Sequence, residues 1–408
     1  MKIKRVLVQG INFFPERTGM GKYTAGMVDY MVQQGIACTV VTSYPFHPEW
    51  KVKPPYKNGS YQKETAHNGL LTIYRCPMYV PPNPTGVTRI IQETSFILSS
   101  SLILTKLIFQ KKFDAFIIIS PPFHLALVAL AYRFFRKTKI VYHIQDLQID
   151  LANELKLIKS KRVVNLMFKI EKYILRKVDY VSTISEGMIK KIKQKRNIEV
   201  INFPNWVNTK QFFPMEDRAS LKSKWNFSES DFLVMYSGNL GEKQGLEMIL
   251  DVAIKFEQLK EVKFIICGNG AYKIRLIEQA NKLKINNVNF ISLQSEEVFN
   301  SFLNIADVHL IIQKKNVADL VMPSKLTTIL AIGGQVIATA SPQTTLYNVI
   351  TNNRLGKVIE PDDVQQLCEA ITGFLQNPKV YAVTARTYAL QHLSVEVIME
   401  KFLKDVRL

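Results

Sequence analysis

Short runs rich in Val and Ile alternate with helical periods along this chain, and near residue 230 the alternation starts again. The first series is RVLVQGI (5–11), ACTVVTSY (37–44), LLTIYRCP (70–77), DAFIIISPP (114–122), KIVYHIQD (139–146), DYVSTIS (179–185) and IEVINFPN (198–205), with helical periods at 20–34, 123–137, 162–177 and 186–196. The second is DFLVMYSGN (231–239), VKFIICGNG (262–270), VNFISL (288–293), VHLIIQ (308–313), QVIATA (335–340) and GKVIEP (356–361), with helices expected at 245–260, 272–284, 295–305, 324–332 and 363–376. Apolar strands alternating with helices predict parallel sheets covered on both faces. A chain of 408 residues also exceeds what one core usually supports. The expectation is therefore an α/β fold of two Rossmann-like, doubly wound domains facing each other across a cleft, with ligands at the carboxyl ends of the strands. The junction is expected near VNTKQFFPM (207–215), and residues 379–408 read as helix.

Charge separates the two halves. Residues 1–208 carry 31 Lys and Arg against 13 Asp and Glu, whereas residues 209–408 carry 22 against 21. A field this one-sided suits an anionic partner of the first half, either nucleic acid or a membrane surface, although a general preference for surface Lys stays open. The interleaved basic and aromatic residues or recognised module expected of a nucleic-acid binder are missing. SFILSSSLILTKLIFQKKF (95–113) is too short and polar to span a bilayer. It reads either as a core helix or as an interfacial helix with Lys106, Lys111 and Lys112 at anionic headgroups. Four cysteines without paired spacing, and no signal-like stretch in MKIKRVLVQ, suit a cytoplasmic protein.

Two turns in the second half suit an anion. In MYSGNLGEKQGLEMIL (235–250), Gly238, Gly241 and Gly245 let the backbone approach a ligand, and the following helix turns free N–H groups toward it. An ordinary tight turn is the plain alternative. In VADLVMPSKLTTILAIGGQVIAT (317–339), Ser324 is placed to cap a helix whose first turn holds Lys325. A lysine there opposes the helix dipole and makes sense where an anion occupies that end. With Lys243, two helix starts each carry an ammonium suited to a diphosphate linked to a sugar. No Asp-x-Asp motif or His/Cys cluster has metal-ligand spacing. His143, on an apolar strand, reads as a satisfied core residue or, with Asp146 following it, as a site residue.

FFPERTGMGKYTAGM (13–27), YPFHPEWKV (44–52), SPPFH (120–124), YHIQDLQID (142–150), NFPNWVN (202–208), SGNLGEKQGLE (237–247) and PSKLTTILAIGG (323–334) together resemble family 4 glycosyltransferases of the GT-B fold, colanic-acid-biosynthesis type, over nearly the full length. The resemblance implies a retaining transfer of a sugar from a nucleoside-diphosphate donor, tilted toward GDP-fucose, to a saccharide acceptor, in exopolysaccharide or surface-glycan biosynthesis, with no cofactor or obligatory metal. It implies domains at 1–207 (acceptor and membrane side), 208–385 (donor side) and a returning helix at 386–408. Donor diphosphate contacts are implied at Gly238, Asn239, Lys243, Gln244, Ser324 and Lys325, a cleft-closing loop at Gly19, Met20, Gly21 and Lys22, and sugar contacts at His143 and Asp146, with Asp150 weaker. A lipid-diphosphate-linked saccharide acceptor would explain the basic first half, since substrate and membrane are both anionic, and the protein is then expected at the inner face of the cytoplasmic membrane. Departures from the family pattern are Asn239 and Gln244 in place of Arg and Lys. Its paired glutamates are also missing, the second falling on Thr328 and the nearest acid to the first being Asp319, one place off. Two other readings are a nucleotide-sugar epimerase of the same architecture and a non-enzymatic binder of anionic membranes.

Overall fold

Every apolar run named above forms a strand in the computed structural model, which describes residues 4–16, 19–47, 49–154, 158, 160–314, 323–378 and 380–408, with Lys243 described by its backbone. The chain divides into two compact units, Met1–Pro204 with Ile398–Leu408, and Asn205–Val397.

The first unit contains strands β1 (Arg5–Gln9), β2 (Ala37–Ser43), β3 (Gln62–Ala66), β4 (Leu71–Cys76), β5 (Ala115–Ser120), β6 (Lys139–Ile144), β7 (Tyr180–Thr183) and β8 (Ile201–Asn202). They form one sheet in the order β3-β4-β2-β1-β5-β6-β7-β8, with Val6 opposite Cys38 on one side and Ala115 on the other. All pairs are parallel except β3 with β4. Strand β3 escapes an apolar search because QKETA is an exposed polar edge. Backbone pairing holds it, together with buried Arg75, whose Nε donates to Glu64 Oε1 at 2.5 Å. Charge on such an edge also discourages pairing with another chain.

The helix expected within 95–113 runs instead over Gly86–Ile108, because Thr85 and Thr88 form a reciprocal capping box ahead of it. Gln92, Phe96, Ser100, Leu104 and Leu107 make its buried stripe, while Leu98 and Leu102 stay exposed. Lys106 lies in its last turn, and exposed Lys111 and Lys112 follow its end. Among the described residues, no helix is long and apolar enough to cross a membrane.

The second unit holds β9 (Phe232–Ser237), β10 (Val262–Cys267), β11 (Val288–Ile291), β12 (Val308–Ile311), β13 (Val336–Thr339) and β14 (Gly356–Ile359), all parallel, in the order β11-β10-β9-β12-β13-β14. Successive strands step one way from β9 and then the other way from β12. That reversal opens a crevice at the carboxyl ends of β9 and β12. Buried side chains on both faces, such as Leu233 and Met235 on one and Val234 and Tyr236 on the other, belong to separate apolar cores.

The tail is not one helix. It comprises Ala382–Tyr388, a wide turn at Ala389–Leu393 and the helix Val395–Asp405. Ser394 breaks it by going extended (ψ 146°) and bridging to Val207.

Candidate functional site

The turn after β9 and the helix after β12 meet at the reversal point. Lys325, the first residue of helix Lys325–Ala331, sets its Nζ 3.6 Å from the centroid of the Tyr236 ring. That Nζ would lie 3.2 Å from a Cβ placed on Gly238, so the glycine leaves room for the ammonium. Among the described residues it has no hydrogen-bond partner, and burial pulls it down to about 7. A buried, unpaired ammonium over an aromatic face is costly unless an anion completes it. Beside it, the Asn239 and Gln244 side chains converge over Gly241, whose added Cβ would stand 3.1 Å from Asn239 Nδ2 and 2.8 Å from Gln244 Oε1. The Gln244 oxygen is also buried without a partner among the described residues.

Two expectations for these two turns need correction. The helix does not start at 245: a short turn at Glu242–Gln244 comes first, the backbone goes left-handed at Gly245 (φ 68°), and the helix is Glu247–Lys255. Ser324 stands at the start of its helix in helical geometry and makes no side-chain capping bond. It has no extended backbone to aim its hydroxyl at the next turn. Lys243 lies in the Glu242–Gln244 turn, and Asp319 lies outside the described residues. Thr328 is buried.

A second glycine pair, not singled out by sequence, holds this turn. Gly238 N donates to Cys267 O at 2.9 Å and Leu240 N to Asn269 O at 2.9 Å. The loops after β9 and β10 therefore interlock. A Cβ on Gly268 would sit 1.9 Å from Gly238 O, and one on Gly270 2.1 Å from Leu240 O. The Gly-Asn-Gly after an apolar strand was the available signal, since such spacing marks a backbone approach.

In the first unit, β6 carries His143, which is 1% exposed. Its Nδ1 is 3.0 Å from Ser182 Oγ and its Nε2 2.8 Å from the Gln145 side-chain amide. The ring packs edge-on against Phe203, itself stacked at 3.8 Å on Phe402. Burial pulls the imidazole down to about 3. His143 thus sits as a core histidine with both nitrogens hydrogen-bonded, the first of the two readings its sequence position offered. Asp146, three residues on, is half-buried, and burial pushes its carboxyl up to about 6. Asp150 is removed from contention by an ion pair: Lys195 Nζ reaches both Asp150 Oδ2 and Glu171 Oε2.

Gly19, Met20, Gly21 and Lys22 are not a loop but the opening turn of helix Gly19–Gln33. Glu16 fixes that turn. Its Oε1 accepts from Phe46 N (2.8 Å) and His47 N (2.9 Å), its Oε2 accepts from Asn12 Nδ2 (2.7 Å), and a Cβ on Gly21 would come within 2.9 Å of its Cβ. Glu16→Gln is expected to lower unfolding free energy by about 1–2 kcal/mol, because the two backbone amides lose a charged acceptor and Asn12 Nδ2 meets a second N–H donor. Urea titration checks this.

Among the described residues, no group of three or more His, Cys, Asp and Glu could hold a metal ion.

A mostly parallel sheet in each unit, the second in a doubly wound strand order with an anion-suited turn at its reversal, defines a two-unit α/β protein of Rossmann-like class. Residues 18–206 match the glycosyl transferase 4-like domain, and residues 217–389 match the glycosyl transferases group 1. The chain is 35% identical over 413 residues to WcaI of Escherichia coli (strain K12), by name a colanic acid biosynthesis glycosyl transferase, covering 99% of this chain and 100% of WcaI. The chain belongs to this glycosyltransferase family. Among solved structures it resembles sucrose-phosphate synthase from Thermosynechococcus elongatus (TM-score 0.75, 14% identity, 99% of this chain and 98% of that one). It also resembles Anabaena Alr3699/HepE in complex with UDP-glucose (TM-score 0.70, 13% identity, 99% of each chain). These likenesses show the GT-B fold.

Proposed function

We propose that the protein is a retaining glycosyltransferase that moves a sugar from a nucleoside-diphosphate donor to a lipid-diphosphate-linked saccharide in the assembly of a surface polysaccharide. The observation that carries this reading is the buried Lys325 ammonium beside Gly238, which has no hydrogen-bond partner among the described residues. Cleaving the sugar–diphosphate bond leaves negative charge on the departing phosphate. A preorganised ammonium stabilises that charge by several kcal/mol more than water would. Asn239 and Gln244 offer amide donors where many relatives carry cations, so Lys325 supplies the positive charge of the site. The likeness to HepE, a structure containing UDP-glucose, supports a nucleotide-sugar donor, and the relationship to WcaI supports a role in assembling a colanic-acid-like surface glycan. GDP-fucose is the donor proposed first, and thermal stabilisation by UDP, GDP and their sugars tests the reading, since a ligand that binds only the folded state raises the melting temperature. No stabilisation by any of them would refute it. An epimerase would instead turn over the nucleotide sugar with no acceptor present.

The first unit is proposed to meet the membrane through the Gly86–Ile108 helix. Phe109, Phe134 and Phe135 are 86%, 82% and 64% exposed, and Lys106, Lys111 and Lys112 accompany them. Exposed aromatics with lysines suit an anionic bilayer surface. Changing the three lysines to Gln is expected to weaken binding to phosphatidylglycerol vesicles by about 3 kcal/mol, about 1 kcal/mol for each charge. Unchanged vesicle binding by a folded variant removes the membrane from the reading.

A further inference from the structure

We propose that Glu93, with Trp50 and Arg89 beside it, forms the subsite of the first unit that receives the acceptor saccharide, a sugar hydroxyl donating to the free oxygen of the Glu93 carboxylate. This rests on the transferase reading above and adds the acceptor-binding residues to it.

The unusual feature is a carboxylate without a cation. Arg89 and Glu93 stand four apart on helix Gly86–Ile108, a spacing that ordinarily pairs opposite charges. Here the Arg89 guanidinium lies 5.1 Å from the centroid of the Trp50 ring, and among the described residues Glu93 has no ion pair. Among the described residues Glu93 is bonded through one oxygen: Gln148 Nε2 donates to its Oε1 at 2.7 Å. Gln148 is itself oriented, because its Oε1 accepts from Phe123 N at 3.1 Å. The carboxylate is thus aimed by a chain of bonds anchored in the loops after β5 and β6. Burial pushes the Glu93 carboxyl up to about 7, against the pull of Gln148 and Arg89. A half-buried carboxylate with one oxygen bonded keeps acceptor capacity for a ligand's donor.

Trp50 supplies a second, independent sign. Its backbone is left-handed (φ 55°), a conformation a bulky side chain rarely adopts, and its ring packs edge-on against Phe46 at 5.5 Å. Such strain persists where the surrounding structure holds a side chain in place for use. Trp50 follows β2, Phe123 follows β5 and Gln148 follows β6, so the group stands at the carboxyl ends of the sheet, where ligands of α/β proteins collect. An aromatic surface, an oriented carboxylate and an exposed guanidinium together fit a pyranose with its hydroxyls, which needs apolar cover for its C–H groups and acceptors for its O–H groups.

The test uses the full chain and p-nitrophenyl glycosides of glucose, galactose and fucose, with affinity read by saturation-transfer NMR. The parent protein is expected to bind at least one of them, and Glu93→Gln to weaken that affinity about tenfold, the worth of one charge-assisted hydrogen bond. Binding of UDP or GDP should be unchanged in the same variant. Arg89 is exposed, so Arg89→Met should fold even if Glu93→Gln does not, and it is expected to weaken the same glycoside about threefold or more. A Glu93 that merely braces Gln148 would lower the melting temperature and leave glycoside affinity intact, which overturns the subsite. So does a parent protein that binds no glycoside. Failure of the parent to bind any nucleoside diphosphate, with glycoside binding preserved, would instead defeat the transferase reading and leave the subsite standing as a saccharide site.

Discussion

The Lys325→Met protein is expected to be more stable than its parent when empty, by on the order of 1–2 kcal/mol, and to bind nucleoside diphosphates thirty- to a hundredfold more weakly, a loss of about 2–3 kcal/mol. Both effects have one cause. In the empty protein the ammonium is buried over Tyr236 with no hydrogen-bond partner among the described residues, so folding has to desolvate a charge. A diphosphate provides the missing partner, and removing the ammonium then costs a charge-assisted bond. The bare nucleoside should bind both proteins alike, and equal losses for both ligands would take Lys325 out of phosphate binding. Burial lowers the group from 10.5 to about 7. Its penalty on folding is therefore full below pH 7 and fades as pH rises toward 10.5, because the unfolded chain binds more protons across that window. The stability gap between variant and parent should narrow from pH 7 to pH 10. A bound diphosphate favours the charged form, so binding at pH 8 is expected to take up a proton. Calorimetry in two buffers of different ionisation heat reads that uptake directly.

Gly268→Ala is expected to cost about 3 kcal/mol or more of unfolding free energy and to weaken diphosphate binding at least tenfold. The added Cβ would lie 1.9 Å from the carbonyl oxygen of Gly238, and the obstacle is backbone, which cannot rotate away. The residue also sits at φ 154°, where alanine is strained. Relief requires the two interlocked loops to separate, and that moves Gly238 away from Lys325. Gly373→Ala is the control: its Cβ would meet nothing within 4 Å, on the exposed side of helix Val364–Gln376. There alanine should be neutral or stabilising by up to about 1 kcal/mol. Urea unfolding of both variants separates the effects, and a Gly268→Ala protein as stable as its parent would contradict the interlocked turns.

Much of the candidate site was legible because its signals are local. A strand that ends in Gly-Asn and a lysine at a helix start can be read from neighbouring residues, and both lie at the predicted strand ends. Legibility failed where a partner comes from far along the chain. His143 and Asp146 look alike in sequence, two polar residues near the end of an apolar strand. Their fates differ because Ser182, 39 residues later, and Phe203 close over the imidazole. Asp150 likewise cannot be told from an available acid until Lys195, 45 residues away, is seen to hold it. Glu93 and Glu16 went unnoticed for the converse reason, since their meaning lies in Gln148 and in the amides of Phe46 and His47. The polar edge strand β3 has no apolar signal at all, only the pairing that β4 offers it.

By itself the sequence determined the two parallel sheets, because continuous apolar strands separated by amphipathic helices can be buried in few other ways. It determined as well that the second sheet carries a phosphate-suited turn, since glycine spacing and helix starts are properties of adjacent residues. Only the tertiary structure decided which charges are free to act. Whether an ionisable group is paired, buried or left waiting depends on what long-range folding brings beside it, as it does for Lys325 over the ring of Tyr236 and for Asp150 bound to Lys195.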